Sequence, residues 1–182
     1  MIYFIRHGLD DESYIGGWSN ISLTADGRKQ IEDSAVWIKN NLNIKRIISS
    51  DVARAKESAL IIGNILNKDV TYLETLREQN KGIYNGLERK KLKQIDKTFI
   101  KSVSADTIYP EGESLKDLYK RINSLIDSFD DDTLVVTHRG VINMIYYNLL
   151  NIPLDMDKEK FLVTHASIHE FDKSKKMIRR IY

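Results

Sequence analysis

The chain has 182 residues, of which 28 are basic and 26 acidic, a net charge of +2, and no cysteine. A domain of this length buries roughly 70% of its unfolded surface and needs no disulfide or metal staple; the lack of cysteine excludes thiol nucleophiles, CxxC redox pairs and thiolate metal sites. The near-balanced charge offers no nucleic-acid footprint, the apolar run at the start has no basic residue before it and is no signal peptide, and no stretch approaches the ~20 apolar residues of a membrane span, so the expectation is a soluble, cytoplasmic domain.

Read in chain order, Ile2-Tyr3-Phe4-Ile5 is a short continuous apolar run that leads straight into Arg6-His7-Gly8. Such unbroken runs predict strands covered on both faces. The stretch LTADGRKQIEDSAVWIKNNL then has helical period through Ile31, Ala35, Ile38 and Leu42, with Thr24 as its N-cap. Ile44 to Ser50 reads as a second strand, followed by a helix starting near Asp51 that carries Arg54 in its opening turn. LREQNKGIYNG is a glycine-bearing loop, and Leu87 to Ser102 is basic and amphipathic, predicting a helix that covers or flanks a site. Ser114 caps a helix repeating Leu115, Leu118, Ile122, Leu125, Ile126 and Phe129. Leu134-Val135-Val136 predicts a strand ending at His138, with a helix directly after it, and the C-terminal segment from Ser167 predicts a hairpin turning at Asp172 to Ser174.

Strands alternating with helices predict an α/β fold with a mostly parallel sheet and helices on both faces. In such sheets ligands bind beyond the carboxyl ends of the strands. Arg6-His7 and His138-Arg139 each stand at such an end, and Arg54 lies at a comparable strand-to-helix turn. If they converge, Arg6, Arg54, His7 and His138 make a pocket for a phosphoryl group. Guanidinium forks match phosphate oxygens and stay charged at any working pH. A neutral imidazole among them can attack phosphorus and hold the group as a phosphohistidine, while the surrounding cations favour the unprotonated nucleophile and neutralise the equatorial oxygens. A leaving alkoxide needs a proton, and Glu78, in a loop where Gly82 and Gly86 permit close approach to a ligand, is the candidate general acid and then base for water.

Six ordered pieces resemble one family. RHG follows the first strand; GGWSNISLTADGRKQ is similar to G-[WH]-x-D-x-x-L-T-x-x-G, and SSDVARAKESA to S-S-x-x-x-R-A-x-x-T-A. LREQNKGIYNG is similar to L-R-E-x-x-x-G-x-x-x-G, PEGES to P-G-G-E-S, and VVTHRGVI to V-[ST]-H-x-G. Together, spanning Ile5 to Ile142, they resemble the histidine phosphatase superfamily, the phosphoglycerate-mutase-like group. The resemblance implies a three-layer α/β/α fold with an antiparallel edge, a single domain over 1–182 with 79–112 as a cap or lid, His7 as the phosphorylated nucleophile and Glu78 as proton donor. It casts Arg6, Arg54 and His138 as phosphate ligands, and requires no metal or other cofactor. The partner it implies is a small-molecule phosphomonoester, with neither nucleic acid nor membrane.

The chain also departs from the pattern. After RHG the family usually continues with Glu or Gln and then Thr or Ser, where this chain has Leu9 and Asp10, in a loop about three residues shorter than usual. The family's phosphate-touching Asn has no counterpart; Ser13 sits at its offset. The cluster Asp10-Asp11-Glu12 reads either as a solvated loop tip or as a face that disfavours polyanions. Near the C-terminus the pattern asks for an Asn-like residue before Ser167-Ile168, and His165 and His169 read there as structural or exposed. Tyr14, Trp18 and Tyr84 are candidates for a leaving-group pocket, with Asp10 and Arg139 at its rim. A metal site built on the histidines is disfavoured by the arginine beside each. A phosphoglycerate mutase, which must retain the released acid, and a catalytically silent phospholigand-binding domain are the alternatives to a phosphatase.

Overall fold

The computed structural model describes residues 1–95 and 103–182, with the side chain of Lys93 left out. A sheet of six strands lies at its centre, in the order β3-β2-β4-β1-β5-β6. The strands are β1 (Ile2–Arg6), β2 (Arg46–Ser49), β3 (Val70–Tyr72), β4 (Thr133–Thr137), β5 (Ile168–Asp172) and β6 (Met177–Arg180). β1, β4, β2 and β3 run parallel, and β5 and β6 add the antiparallel edge. β1 and β4 are buried at every residue, which is why their sequences are unbroken rather than alternating. Successive side chains nevertheless go to opposite faces. Ile2, Phe4, Ile48 and Val135 pack under α4 (Leu115–Ile126) and α5 (Arg139–Leu150). Tyr3, Ile5, Ile47, Leu134 and Val136 pack under α1 (Ala25–Asn41) and α2 (Ala53–Leu66).

The expected caps are in place. Thr24 accepts from the Gly27 amide, and Ser114 forms a reciprocal capping box with Asp117. α2 begins at Ala53 after Val52, with no side-chain cap. The short strand β3, which the sequence reading passed over, follows Asn67 in the left-handed conformation that ends α2. Of the amphipathic stretch 87–102, Arg89–Ile95 forms α3 and residues 96–102 lie outside the described residues.

The topology locates the site. β1 and β4 are parallel neighbours, Arg6 opposite Thr137. The chain leaves β1 toward α1 on one face and leaves β4 toward α5 on the other. Their carboxyl ends therefore flank a switch point, where a crevice opens above the sheet. His7 and His138 are the next residues along each strand, and the His7 amide donates to the Thr137 carbonyl at 3.0 Å. Among the described residues no helix is long and apolar enough to cross a membrane.

Candidate active site

The turn after β1 is locked by two glycines. A Cβ on Gly8 would stand 2.2 Å from the Gly27 carbonyl oxygen, and one on Gly27 2.1 Å from that of Leu9. The Leu9 carbonyl also accepts the Thr24 amide and hydroxyl, at 2.9 and 3.1 Å. The RHG turn and the LTADG helix start are thus one interlocked unit, which fixes the direction of the His7 ring.

That ring is 4% exposed. Its Nδ1 lies 2.7 Å from the Gly8 carbonyl. A carbonyl only accepts, so Nδ1 carries the proton and Nε2 presents a lone pair. Arg54 Nε donates to that lone pair at 3.1 Å. Burial, then Arg54, His138 and Arg6, hold His7 well below its ordinary value of 6.5, against the smaller opposing effect of the Gly8 bond.

The other expected phosphate ligands converge on the same place. The ring of His138 lies 5.2 Å from that of His7, its Nε2 2.9 Å from Ser50 Oγ. Burial, Arg54, Arg6 and Arg121 hold it, too, well below 6.5. Arg54, 2% exposed, is aimed by three acceptors besides His7: Gly17 O at 2.9 Å, Ser19 Oγ at 3.5 Å and the Asp10 carboxylate at 3.4 Å. Arg6 donates to the Val163 carbonyl at 2.9 Å and to His165 Nε2 at 2.5 Å. Burial and the nearby Arg139 bring its guanidinium down to about 10, still charged at neutral pH. Arg6 Nε and His138 Nδ1 are buried without a protein partner.

Glu78 reaches the crevice from the loop after Leu76. Its Oε1 accepts the Gln79 amide and its Oε2 the Gly140 amide at the start of α5, each at 2.9 Å. A Cβ at 140 would stand 2.0 Å from Oε1, so the carboxylate keeps this position only beside a glycine. Behind the carboxylate, the Glu78 carbonyl accepts Trp18 Nε1 at 2.8 Å and Arg121 Nη2 at 3.3 Å, and Arg121 is held in turn by Glu113 at 2.6 Å.

Arg6, His7, Arg54 and Glu78 line a cavity of about 490 Å³, while His138, fully buried, stands behind its wall. Beyond the end formed by Arg6, His7 and Arg54 its walls include Tyr14, Tyr109, Tyr147, Met144 and Leu115, with the cations Lys81, Arg89, Arg139 and Lys158. Lys81 sits over the Tyr109 ring, 4.2 Å from its centroid, and is bonded to Gln79. Burial and the ammonium of Lys158 push it down to about 7.

The sequence profile of the histidine phosphatase superfamily (branch 1) matches residues 2–182. The chain belongs to the histidine phosphatase superfamily. The probable phosphoglycerate mutase GpmB of Escherichia coli is 30% identical over 163 residues, covering 84% of this chain and 75% of that protein. Among solved structures, a putative α-ribazole-5′-P phosphatase from Escherichia coli superposes with a TM-score of 0.83 at 20% identity, over 99% of this chain and 93% of that one. A mycobacterial glucosyl-3-phosphoglycerate phosphatase gives 0.73 at 22% identity, over 99% and 95%. These two likenesses establish the three-layer fold.

Within this histidine phosphatase superfamily member the rim residues divide. Asp10 is not a solvated tip: it is 8% exposed, next to Arg54 and 3.8 Å from His165 Nε2. Burial opposes its ionisation, but His165 and Arg54 hold it below its ordinary value. Asp11 and Ser13 do stand exposed, and Ser13 is not among the residues lining the cavity. Trp18 and Tyr84 do not line it either. Trp18 braces the Glu78 carbonyl, with Arg77 stacked 4.7 Å from its ring centroid, and Tyr84 is buried beside Tyr109. Tyr14, Asp10 and Arg139 are wall residues. His165, read from sequence as structural or exposed, instead stands at the site, its ring 5.6 Å from that of His7. Its spacing from the motifs gave no signal; only the loop before β5 brings it there. His169 is structural, bonded to Tyr146 and Ser167 at 2.9 Å each.

Proposed function

We propose that the chain is a phosphomonoester hydrolase working through a phosphohistidine on His7. His7 Nε2 attacks phosphorus and forms a P–N bond while the ester P–O bond breaks. Arg6, Arg54 and His138 neutralise the non-bridging oxygens. The departing oxygen takes a proton from Glu78. Water then attacks the phosphorus, giving its proton to Glu78; the P–N bond breaks, releasing inorganic phosphate and restoring the Nε2 lone pair. The observation that carries this reading is the tautomer: the Gly8 carbonyl claims Nδ1–H, leaving Nε2 unprotonated beside Arg54 in a ring of buried cations. The partnerless Arg6 Nε and His138 Nδ1 supply further contacts for an anion.

The leaving-group end, with Lys81, Arg89, Arg139 and Lys158 among aromatic walls, suits an alcohol that carries its own anionic group, such as the phosphoglycerates named for two of the relatives. The cap is 79–112, of which the described residues Gln79, Lys81, Arg89, Leu92, Val103 and Tyr109 line the walls and 96–102 lie outside the described residues. A mutase would hand the phosphoryl group back to the retained acid. The test is an alkali-quenched incubation with labelled phosphomonoesters in the presence of EDTA, for wild type and His7→Ala. The expected result is acid-labile label on wild type only, with stoichiometric phosphate release. Turnover that persists in His7→Ala sinks the reading, and label returned to an isomeric ester instead of appearing as phosphate makes the chain a mutase.

A further inference from the structure

The His7 ring also belongs to a second set of donors, whose other members the hydrolytic cycle does not use. Ligand atoms of His7, Asp10 and His165 lie within 4.8 Å of one another. The pair Asp10 and His165 is separated by 3.8 Å, and Glu12 stands 3.8 Å from the same His165 nitrogen. His7 and Asp10 are buried, and the His165 side chain is only 14% exposed. The Nδ1–H bond from His7 to the Gly8 carbonyl is the outer contact that fixes a metal-binding imidazole, leaving Nε2 free to ligate. Asp10 stands where the resembled pattern has Thr or Ser, and His165 falls in the stretch where it asks for an Asn-like residue. Both departures meet at one point.

We propose that this cluster is a zinc site, formed by His7 Nε2, His165 Nε2 and the Asp10 carboxylate with Glu12 as fourth ligand, and that zinc bound there shuts off the enzyme by capping His7. Two imidazoles and two carboxylates suit tetrahedral zinc, whose ligand atoms stand about 3.4 Å apart at ordinary bond lengths, so the Asp10 loop closes by roughly 1 Å on binding. The two guanidiniums oppose a cation, and this is the chief cost. Asp10 and Glu12 offset it: Asp10 lies 3.4 Å from Arg54 and Glu12 3.9 Å from Arg6, so the four charges already cancel locally. Arg54 Nε and Arg6 Nη2 donate to the two histidine nitrogens that zinc would take. Metal and guanidinium therefore compete for the same lone pairs. Because a phosphoryl group needs both arginines in place and His7 uncapped, zinc and substrate exclude each other. The inhibitory half of the proposal rests on His7 being the nucleophile; the binding half does not.

The test uses the full chain stripped with chelator. Zinc is titrated against a chromophoric chelator, cobalt(II) spectra report coordination number, and initial rates are measured with and without zinc. One zinc per chain, a tetrahedral cobalt spectrum and a raised KM at constant kcat are expected. His165→Asn and Asp10→Thr should each weaken zinc by at least about 100-fold, more than loss of an outer-sphere partner costs. Failure of wild type to bind zinc below millimolar levels, or variants that bind like wild type, overturns the proposal. Should one variant misfold by circular dichroism, the other decides. Zinc binding lost in both variants, without any phosphohistidine in wild type, would keep the metal site and remove the hydrolase reading; phosphohistidine without zinc binding would do the reverse.

Discussion

At Lys81, burial, aided by Lys158 and Arg89, works against the ammonium while Glu78 and Glu113 favour it, and burial wins, leaving titration near neutrality at about 7. A lysine that titrates there makes the leaving-group preference depend on pH. Below pH 7 its charge attracts an anionic leaving group; as pH rises through 7 that attraction is lost. For a substrate with a carboxylate in its alcohol half, KM is expected to rise about threefold to tenfold between pH 6 and 8, relative to a matched ester with a neutral alcohol. The ratio cancels the titration of the phosphate common to both. Lys81→Met should flatten it; an unaltered ratio in that variant would remove Lys81 from the leaving-group contacts.

At the scale of an element, the start of α5 decides where the proposed proton donor sits. The Gly140 amide holds one Glu78 oxygen, and the missing side chain makes room for the other. Gly140→Ala improves helix propensity by about 1 kcal/mol. The carboxylate it strikes is the end of a flexible chain and can swing away. The expected outcome has opposite signs: a thermal midpoint no lower than wild type, with kcat reduced about 100-fold, in the range of a lost general acid. If kcat survives, Glu78 is not the donor. On the far side of the same loop, Arg121 from α4 donates to the carbonyls of Thr75, Arg77 and Glu78 and pairs with Glu113. Arg121→Met leaves Glu113 and three carbonyls short of donors, and should cost about 1–3 kcal/mol in urea unfolding together with a fall in kcat at unchanged KM. α4 itself is held by its apolar stripe, and Leu118→Ala, at a fully buried position, should cost about 2–5 kcal/mol.

For the whole molecule, burying neutral histidines ties stability to pH. His7 and His138 are held well below 6.5 and His169 down to about 4, burial being the first cause in each. Below pH 6.5 the unfolded chain takes up protons that the folded rings refuse. Stability is therefore full above 6.5 and declines as the pH falls toward the folded values. His169 alone accounts for about 2 kcal/mol of loss by pH 5. Urea denaturation at pH 7 and pH 5 should show this decline, and His169→Gln, which keeps polar contacts available to Tyr146 and Ser167, should reduce it by about that amount. An equal decline in the variant would place the pH dependence elsewhere.

Much of this protein was legible in its residues. Unbroken apolar runs at Ile2–Ile5 and Leu134–Val136 announced strands covered on both sides, and Thr24 and Ser114 announced helix starts, because strand burial and capping are local or periodic properties of a sequence. Motif order was enough for the family, and strand ends were enough to single out Arg6, His7 and His138. β3 escaped notice because three residues, two half-buried and one exposed, carry no period. Trp18 was placed in the pocket from its chemistry, yet its indole N–H found a carbonyl behind the site, a choice set by the loop's path and not by residue type. Asp10 looked like part of a solvated acidic tip until the chain's return to β5 put His165, some 155 residues later, against it, as only a folded chain can do. Sequence determined what each strand and helix end offers, since those offers depend on neighbours along the chain. Which of them meet was decided by the tertiary structure, because parallel pairing of β1 with β4 and the antiparallel return of β5 bring together residues that no local rule connects.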